Sequence, residues 1–133
     1  MTELFRFDLL ATEAEKLNPF IGIGGNTKDA ICIRDTDGRC IVVCHGMSLF
    51  GFKTLLRGFK NVKSLRDYFG IGETEMIYLI CCFGGKLKNN DPNTTIVNPY
   101  NKKCRIETNL IEHWLGPTLK MFGPDKRTYV LSV

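Results

Sequence analysis

Long hydrophobic runs are missing from this chain: nothing approaches the roughly 20 consecutive apolar residues that a helix needs to cross a bilayer. Residues 1–10 carry Glu3, Arg6 and Asp8 where a signal core has to be apolar. Neither export nor a membrane partner is therefore expected, and the chain reads as cytoplasmic. Six cysteines are present, yet no two of them form a C-x-x-C knuckle. The usual mark of a structural zinc site is thus absent, and no metal is expected even though His45 and His113 add to the available ligands. Cys32, Cys40, Cys44, Cys81 and Cys82 fall mostly inside apolar runs. That placement fits thiols packed as small hydrophobes in a reducing compartment better than a disulfide framework. The glycine-rich residues 22–26 lack the Gly-Lys-Ser/Thr ending of a phosphate-binding loop and lead into no strong helix, so a turn or mobile loop is expected there. There is no internal repeat, linker or low-complexity tract.

What is present is ordinary globular material. The chain has 133 residues, 44% of them hydrophobic and 24% charged. This suits one domain spanning 1–133, with enough chain to bury a core unaided by crosslinks. The net charge of +4 is spread over Arg57, Lys60, Lys63 and Arg66, then Lys86 and Lys88, then Lys102, Lys103 and Arg105. Such groups read as a solvated surface. Nucleic-acid binding would require them gathered on one face with aromatics between, and it is not expected.

Residues 3–17 are ambiguous, alternating like a strand at first and then turning to good helix formers, until Asn18-Pro19 breaks the pattern. Residues 30–34 and 39–44 read as two strands joined by Asp35-Thr36-Asp37-Gly38, whose Asp-Gly step signals a hairpin; Asp35 and Asp37 are turn formers there. Residues 47–59 look like a loop or broken helix, because Gly46, Gly51 and Gly58 interrupt them. Val62, Leu65 and Phe69 fall at helical spacing ahead of Gly70, which predicts an amphipathic helix over residues 61–69. Residues 94–97 and 103–107 suggest two strands around the turn Asn98-Pro99-Tyr100-Asn101, a polar segment suited to lining a cleft near the strand ends. A short helix carrying His113-Trp114 follows, and residues 128–133 form a last strand.

Two apolar runs end alike. Ile41-Val42-Val43-Cys44 leads into His45-Gly46, and Ile77-Tyr78-Leu79-Ile80-Cys81 leads into Cys82-Phe83-Gly84-Gly85. A strand, a helical crossover and a second strand make a βαβ unit with parallel strands, whose carboxyl ends open on one edge of the sheet. His45 and Cys82 then form a candidate dyad: the imidazole takes the thiol proton and the thiolate is the nucleophile. Gly46 and the backbone at Cys82 are suited to donate N–H groups to an oxyanion, while Gly84 and Gly85 leave room for a passing substrate chain. Cys81 continues the apolar alternation and is expected to be packed. Redox chemistry at the adjacent Cys81 and Cys82 is disfavoured, since neighbours on a strand point to opposite faces.

This order of apolar strand, His-Gly, crossover, apolar strand, Cys and glycine resembles the shared signature of caspase-like cysteine peptidases, the group that includes caspases, legumains, gingipains and CHAT domains. The resemblance covers roughly residues 30–86 and is borne by the two runs quoted above. It implies a small three-layer α/β domain, reduced in size, with a mixed and partly parallel sheet of five or six strands flanked by helices. It further implies that His45 is the catalytic histidine, Cys82 the nucleophile and Gly46 an oxyanion donor. The activity implied is cleavage of a peptide or protein substrate through a thioester, without a cofactor. The alternative reading is a non-catalytic module of related fold, which captures a small anionic ligand through residues 22–26 and the lysines or blocks a partner protein.

Overall fold

The computed structural model describes residues 3–10, 12–13, 16, 30–101, 105–108, 118–122 and 126–132. Its centre is a mixed sheet built from β2 (Ala30–Arg34), β3 (Cys40–Cys44), β6 (Ile77–Ile80) and β7 (Thr94–Ile96), in the order β2-β3-β6-β7. β2 and β3 form the hairpin that the Asp-Gly step predicts, with Arg34 opposite Cys40 and Ala30 opposite Cys44. Asp35 organises the turn: one carboxylate oxygen accepts from the Asp37 and Arg39 amides at 3.1 and 2.8 Å. The other meets Arg39 Nε at 2.6 Å. Gly38 supplies the positive φ of 81° that a side chain would resist. β3 runs parallel to β6, with Val42 opposite Leu79 and Val43 opposite Ile80. β6 in turn runs parallel to β7.

All five residues of β3 are buried, because both faces of the strand are covered. On one face, Cys40, Val42, Cys44, Ile77, Leu79 and Cys81 join a cluster with Leu56, Val62, Leu65 and Ile71. The last three belong to α1 (Val62–Phe69) and the residue just beyond its cap. Asn61 caps this helix in a reciprocal box with Ser64, and Gly70 ends it in the left-handed conformation (φ 65°), as its sequence predicts. On the other face, Phe7 of β1 (Glu3–Leu10) meets Tyr78 edge-on at 5.6 Å between ring centres, and the Arg39 guanidinium lies 4.8 Å from the Phe7 ring.

β1 belongs to a second sheet, ordered β1-β10-β9-β8, with β8 at Arg105–Thr108, β9 at Thr118–Phe122 and β10 at Lys126–Ser132. The chain is therefore α/β with a four-stranded mixed sheet. Among the described residues α1 covers one face of the central sheet, and a strand of the second sheet meets the other.

Two expectations are corrected. Residues 47–59 are not a loop or broken helix but contain an antiparallel hairpin, β4 (Gly46–Leu49) and β5 (Lys53–Leu56). Strand period wins because Thr54 and Leu56 face the core while Lys53 and Leu55 face out. Residues 94–97 and 103–107 do not form a hairpin, since β7 pairs with β6 whereas β8 pairs in parallel with β9 in the other sheet. The helix expected around His113 and the glycine-rich residues 22–26 lie outside the described residues. No helix among the described residues is long and apolar enough to cross a membrane.

Candidate functional site

The two look-alike endings meet. Val43 is opposite Ile80 in the parallel ladder, the last pair before the two endings. Side chains alternate along a strand, and Cys44 and Cys81 both enter the helix-side cluster. The Gly46 contact gives the closest evidence of adjacency. A Cβ at residue 46 would collide with the Cys82 carbonyl oxygen and lie 3.1 Å from its carbon and 3.3 Å from its nitrogen. Only glycine lets the two main chains come this close. His45 and Cys82 are each half-buried, although the imidazole Nε2 itself is enclosed by protein.

The surroundings hold both endings in place. The His45 carbonyl accepts from the Arg57 amide at 2.9 Å, tying the residue to the end of β5. Beyond Cys82 the chain turns sharply. Phe83 adopts a left-handed conformation (φ 58°), uncommon for a residue with a side chain, and the Thr54 hydroxyl donates to its carbonyl at 2.5 Å. A short 3-10 turn, Gly84–Lys86, follows. Asn98, fully buried, donates from Nδ2 to the Cys81 carbonyl at 3.1 Å and accepts from the Tyr100 amide at 3.3 Å. The segment flagged as a cleft-lining candidate thus reaches the end of β6.

Gly84 and Gly85 serve this inner packing. A Cβ on Gly84 would strike the Asn98 carbonyl and sit 2.7 Å from Ile96 Cγ2, and one on Gly85 would strike the Pro99 carbonyl. The Gly85 amide donates to the Tyr100 carbonyl at 3.1 Å. The space these glycines free is filled by the protein's own residues 98–101.

Cys81 is nearly sealed, and burial, reinforced by the neighbouring Cys44 and Cys82, pushes its thiol up to about 12. It keeps its proton at neutral pH and is no nucleophile. The described residues include no group of three or more His, Cys, Asp or Glu able to hold a metal.

Sequence reasoning missed Thr54 and the weight carried by Asn98. The alternation in Lys53-Thr54-Leu55-Leu56 was the available signal for the first. It also missed a groove of about 800 Å³ between β5, the start of α1 and residues 87–93, lined by Lys53, Lys60, Lys63 and Lys88. One wall is held by buried Arg66, whose guanidinium donates to Asp91 at 2.6 Å and to the carbonyls of Gly72, Glu75 and Asn93.

No protein-family model, curated protein or solved structure matches the chain. The caspase-like resemblance therefore rests on the residues themselves.

Proposed function

We propose that the chain is a cysteine peptidase whose nucleophile is Cys82 and whose base is His45. The observation that carries this reading is the parallel register of β3 and β6, together with the contact of Gly46 on the Cys82 backbone. In the proposed reaction the imidazole takes the Cys82 proton and the thiolate attacks a peptide carbonyl, giving a tetrahedral oxyanion. The Gly46 and Cys82 amides are the donors proposed for that oxygen. Collapse expels the amine, which takes its proton from the imidazolium, and leaves a thioester. Water, deprotonated by the same imidazole, then releases the acid and restores the thiol. Asn98 and Thr54 act as positioning residues in this scheme, because they fix the carbonyls on either side of Cys82.

The test is cleavage of a diverse peptide library read by mass spectrometry. Cys82→Ala should abolish cleavage, by on the order of a thousandfold or more, and His45→Ala should lower it by about a hundredfold or more. Cys81→Ala should retain it. Cleavage that survives Cys82→Ala, or a wild-type protein that cleaves nothing, overturns the reading.

The lysine-lined groove favours a second reading, the capture of a small anionic ligand. Four lysines against one wall glutamate, Glu73, and the Arg66–Asp91 pair leave the groove cationic. A thermal-shift series with inorganic phosphate, pyrophosphate and a nucleoside triphosphate tests it. Stabilisation that Lys60→Glu and Lys63→Glu remove and Cys82→Ala preserves supports ligand capture; no shift with any of the three anions refutes it.

A further inference from the structure

Two thiols outside the candidate dyad lie nearly in bonding range. Cys32 and Cys40 sit on the neighbouring strands β2 and β3, and their sulfurs are 3.2 Å apart. In the register Cys32 is opposite Val42 and Cys40 is opposite Arg34, so the pair is diagonal, with both side chains on one face. Diagonal partners normally stand too far apart to touch through side chains as short as cysteine. Here they lean together, and about 1 Å of further approach separates this contact from a covalent S–S bond.

The two thiols are unequal in ways that suit a nucleophile and its resolving partner. Cys32 is partly buried on β2, which lies at one edge of the described central sheet, whereas Cys40 is buried in the core. The hydrogen bond with Cys40, aided by Arg34 and Lys16, holds the Cys32 thiol below its usual range against the opposing effects of burial and Glu75. The same contact and burial push Cys40 upward, so Cys40 keeps its proton. Arg34 is anchored beside Cys32 by Glu75 and by the Gly38 carbonyl at 3.0 Å. A guarded, anion-prone sulfur thus sits at the partly covered margin of the core, against a buried thiol that keeps its proton.

We infer that Cys32 and Cys40 form a peroxide-reactive modification site, in which Cys32 is oxidised and Cys40 resolves it to an intramolecular disulfide. The Cys32 thiolate attacks one oxygen of a hydroperoxide; the O–O bond breaks, alkoxide or hydroxide leaves, and Cys32 becomes a sulfenic acid. The Cys40 thiol then attacks the Cys32 sulfur and expels the hydroxyl with the thiol proton as water. Two electrons pass from the sulfurs to the peroxide, and a thiol reductant reverses the bond. The product would staple β2 to β3, the strand that leads to His45. The inference is independent of any activity at Cys82.

Limiting hydrogen peroxide on the fully reduced wild-type chain, followed by N-ethylmaleimide blocking and peptide mapping, tests it directly. The expected product is a Cys32–Cys40 linked peptide that disappears on treatment with dithiothreitol. In Cys40→Ser the link is lost and dimedone traps Cys32 as its sulfenic acid. Recovery of both cysteines as maleimide adducts in the wild type, with the peroxide consumed elsewhere, overturns the site. A dimedone adduct on wild-type Cys32 without the linked peptide overturns the resolving role of Cys40. Neither reading depends on a variant folding.

Discussion

Replacing Gly46 with alanine tests the contact on which the candidate site is built. The added methyl points at the Cys82 main chain, whose carbonyl oxygen it would overlap and whose carbon it would meet at 3.1 Å. The obstacle is backbone, so no side-chain rotation relieves it and β4 must move away from the end of β6. Overpacking of this kind costs about 1–3 kcal/mol. For a chain of this length each kcal/mol lowers the melting temperature by about 3–5 °C, so Gly46→Ala should melt about 3–15 °C below the wild type. Gly72→Ala is the control: nothing lies within 4 Å of its Cβ position and its φ is not left-handed. There the substitution only narrows the unfolded ensemble, and it should stabilise by about 0.4–1 kcal/mol. Thermal unfolding of the three proteins followed by circular dichroism separates the outcomes. A Gly46→Ala protein that melts as high as Gly72→Ala would refute the close approach of the two strand endings.

Asn98→Ala strips the donor from the buried Cys81 carbonyl and should cost about 1–3 kcal/mol in chemical denaturation, while slowing any Cys82-dependent reaction. Arg66→Met leaves Asp91 without its ion pair and four backbone and side-chain acceptors without their donor, and should destabilise by about 3 kcal/mol at neutral pH. Burial would raise the Asp91 carboxyl, but Arg66, the Asn93 amide and the Thr94 hydroxyl together hold it low. Its contribution is thus complete above the ordinary carboxylate range and is lost as the pH falls through the lowered value. Stability measured against pH should therefore drop more steeply on acidification in the wild type than in Arg66→Met. Cys81, with its thiol pushed up to about 12, should stay unmodified by iodoacetamide at neutral pH in the native protein and become reactive only after unfolding, as peptide mapping would report.

The parts of this fold that were legible in the sequence are those fixed by short-range chemistry. Asp35 and Gly38 determine their turn alone, through side-chain acceptance and a positive φ. Asn61, Ser64 and Gly70 likewise bound α1, and the β3 and β6 runs read as buried strands because both faces are covered. The hairpin of β4 and β5 was obscured by Gly46, Gly51 and Gly58, which look like breaks. In the structure Gly46 answers a tertiary contact and Gly51 a turn with φ 81°. The pairing of β7 was obscured in the same way. Asn98-Pro99 has the composition of a hairpin turn, yet Asn98 spends its side chain on the Cys81 carbonyl, seventeen residues away. Such long-range uses leave no local pattern. Of the candidate site, the approach of the two strand endings at Gly46 and Cys82 followed from strand logic, whereas the role of Thr54 and the packing of residues 98–101 against Gly84 and Gly85 emerged only from the fold.

The rate at which iodoacetamide modifies Cys82 at neutral pH, compared between the wild type and His45→Ala, probes the pairing of the two strand endings most directly. The expected result is that Cys82 is labelled at least about tenfold more slowly in the variant than in the wild type. Equal rates in the two proteins would contradict a working partnership between the imidazole and the thiol.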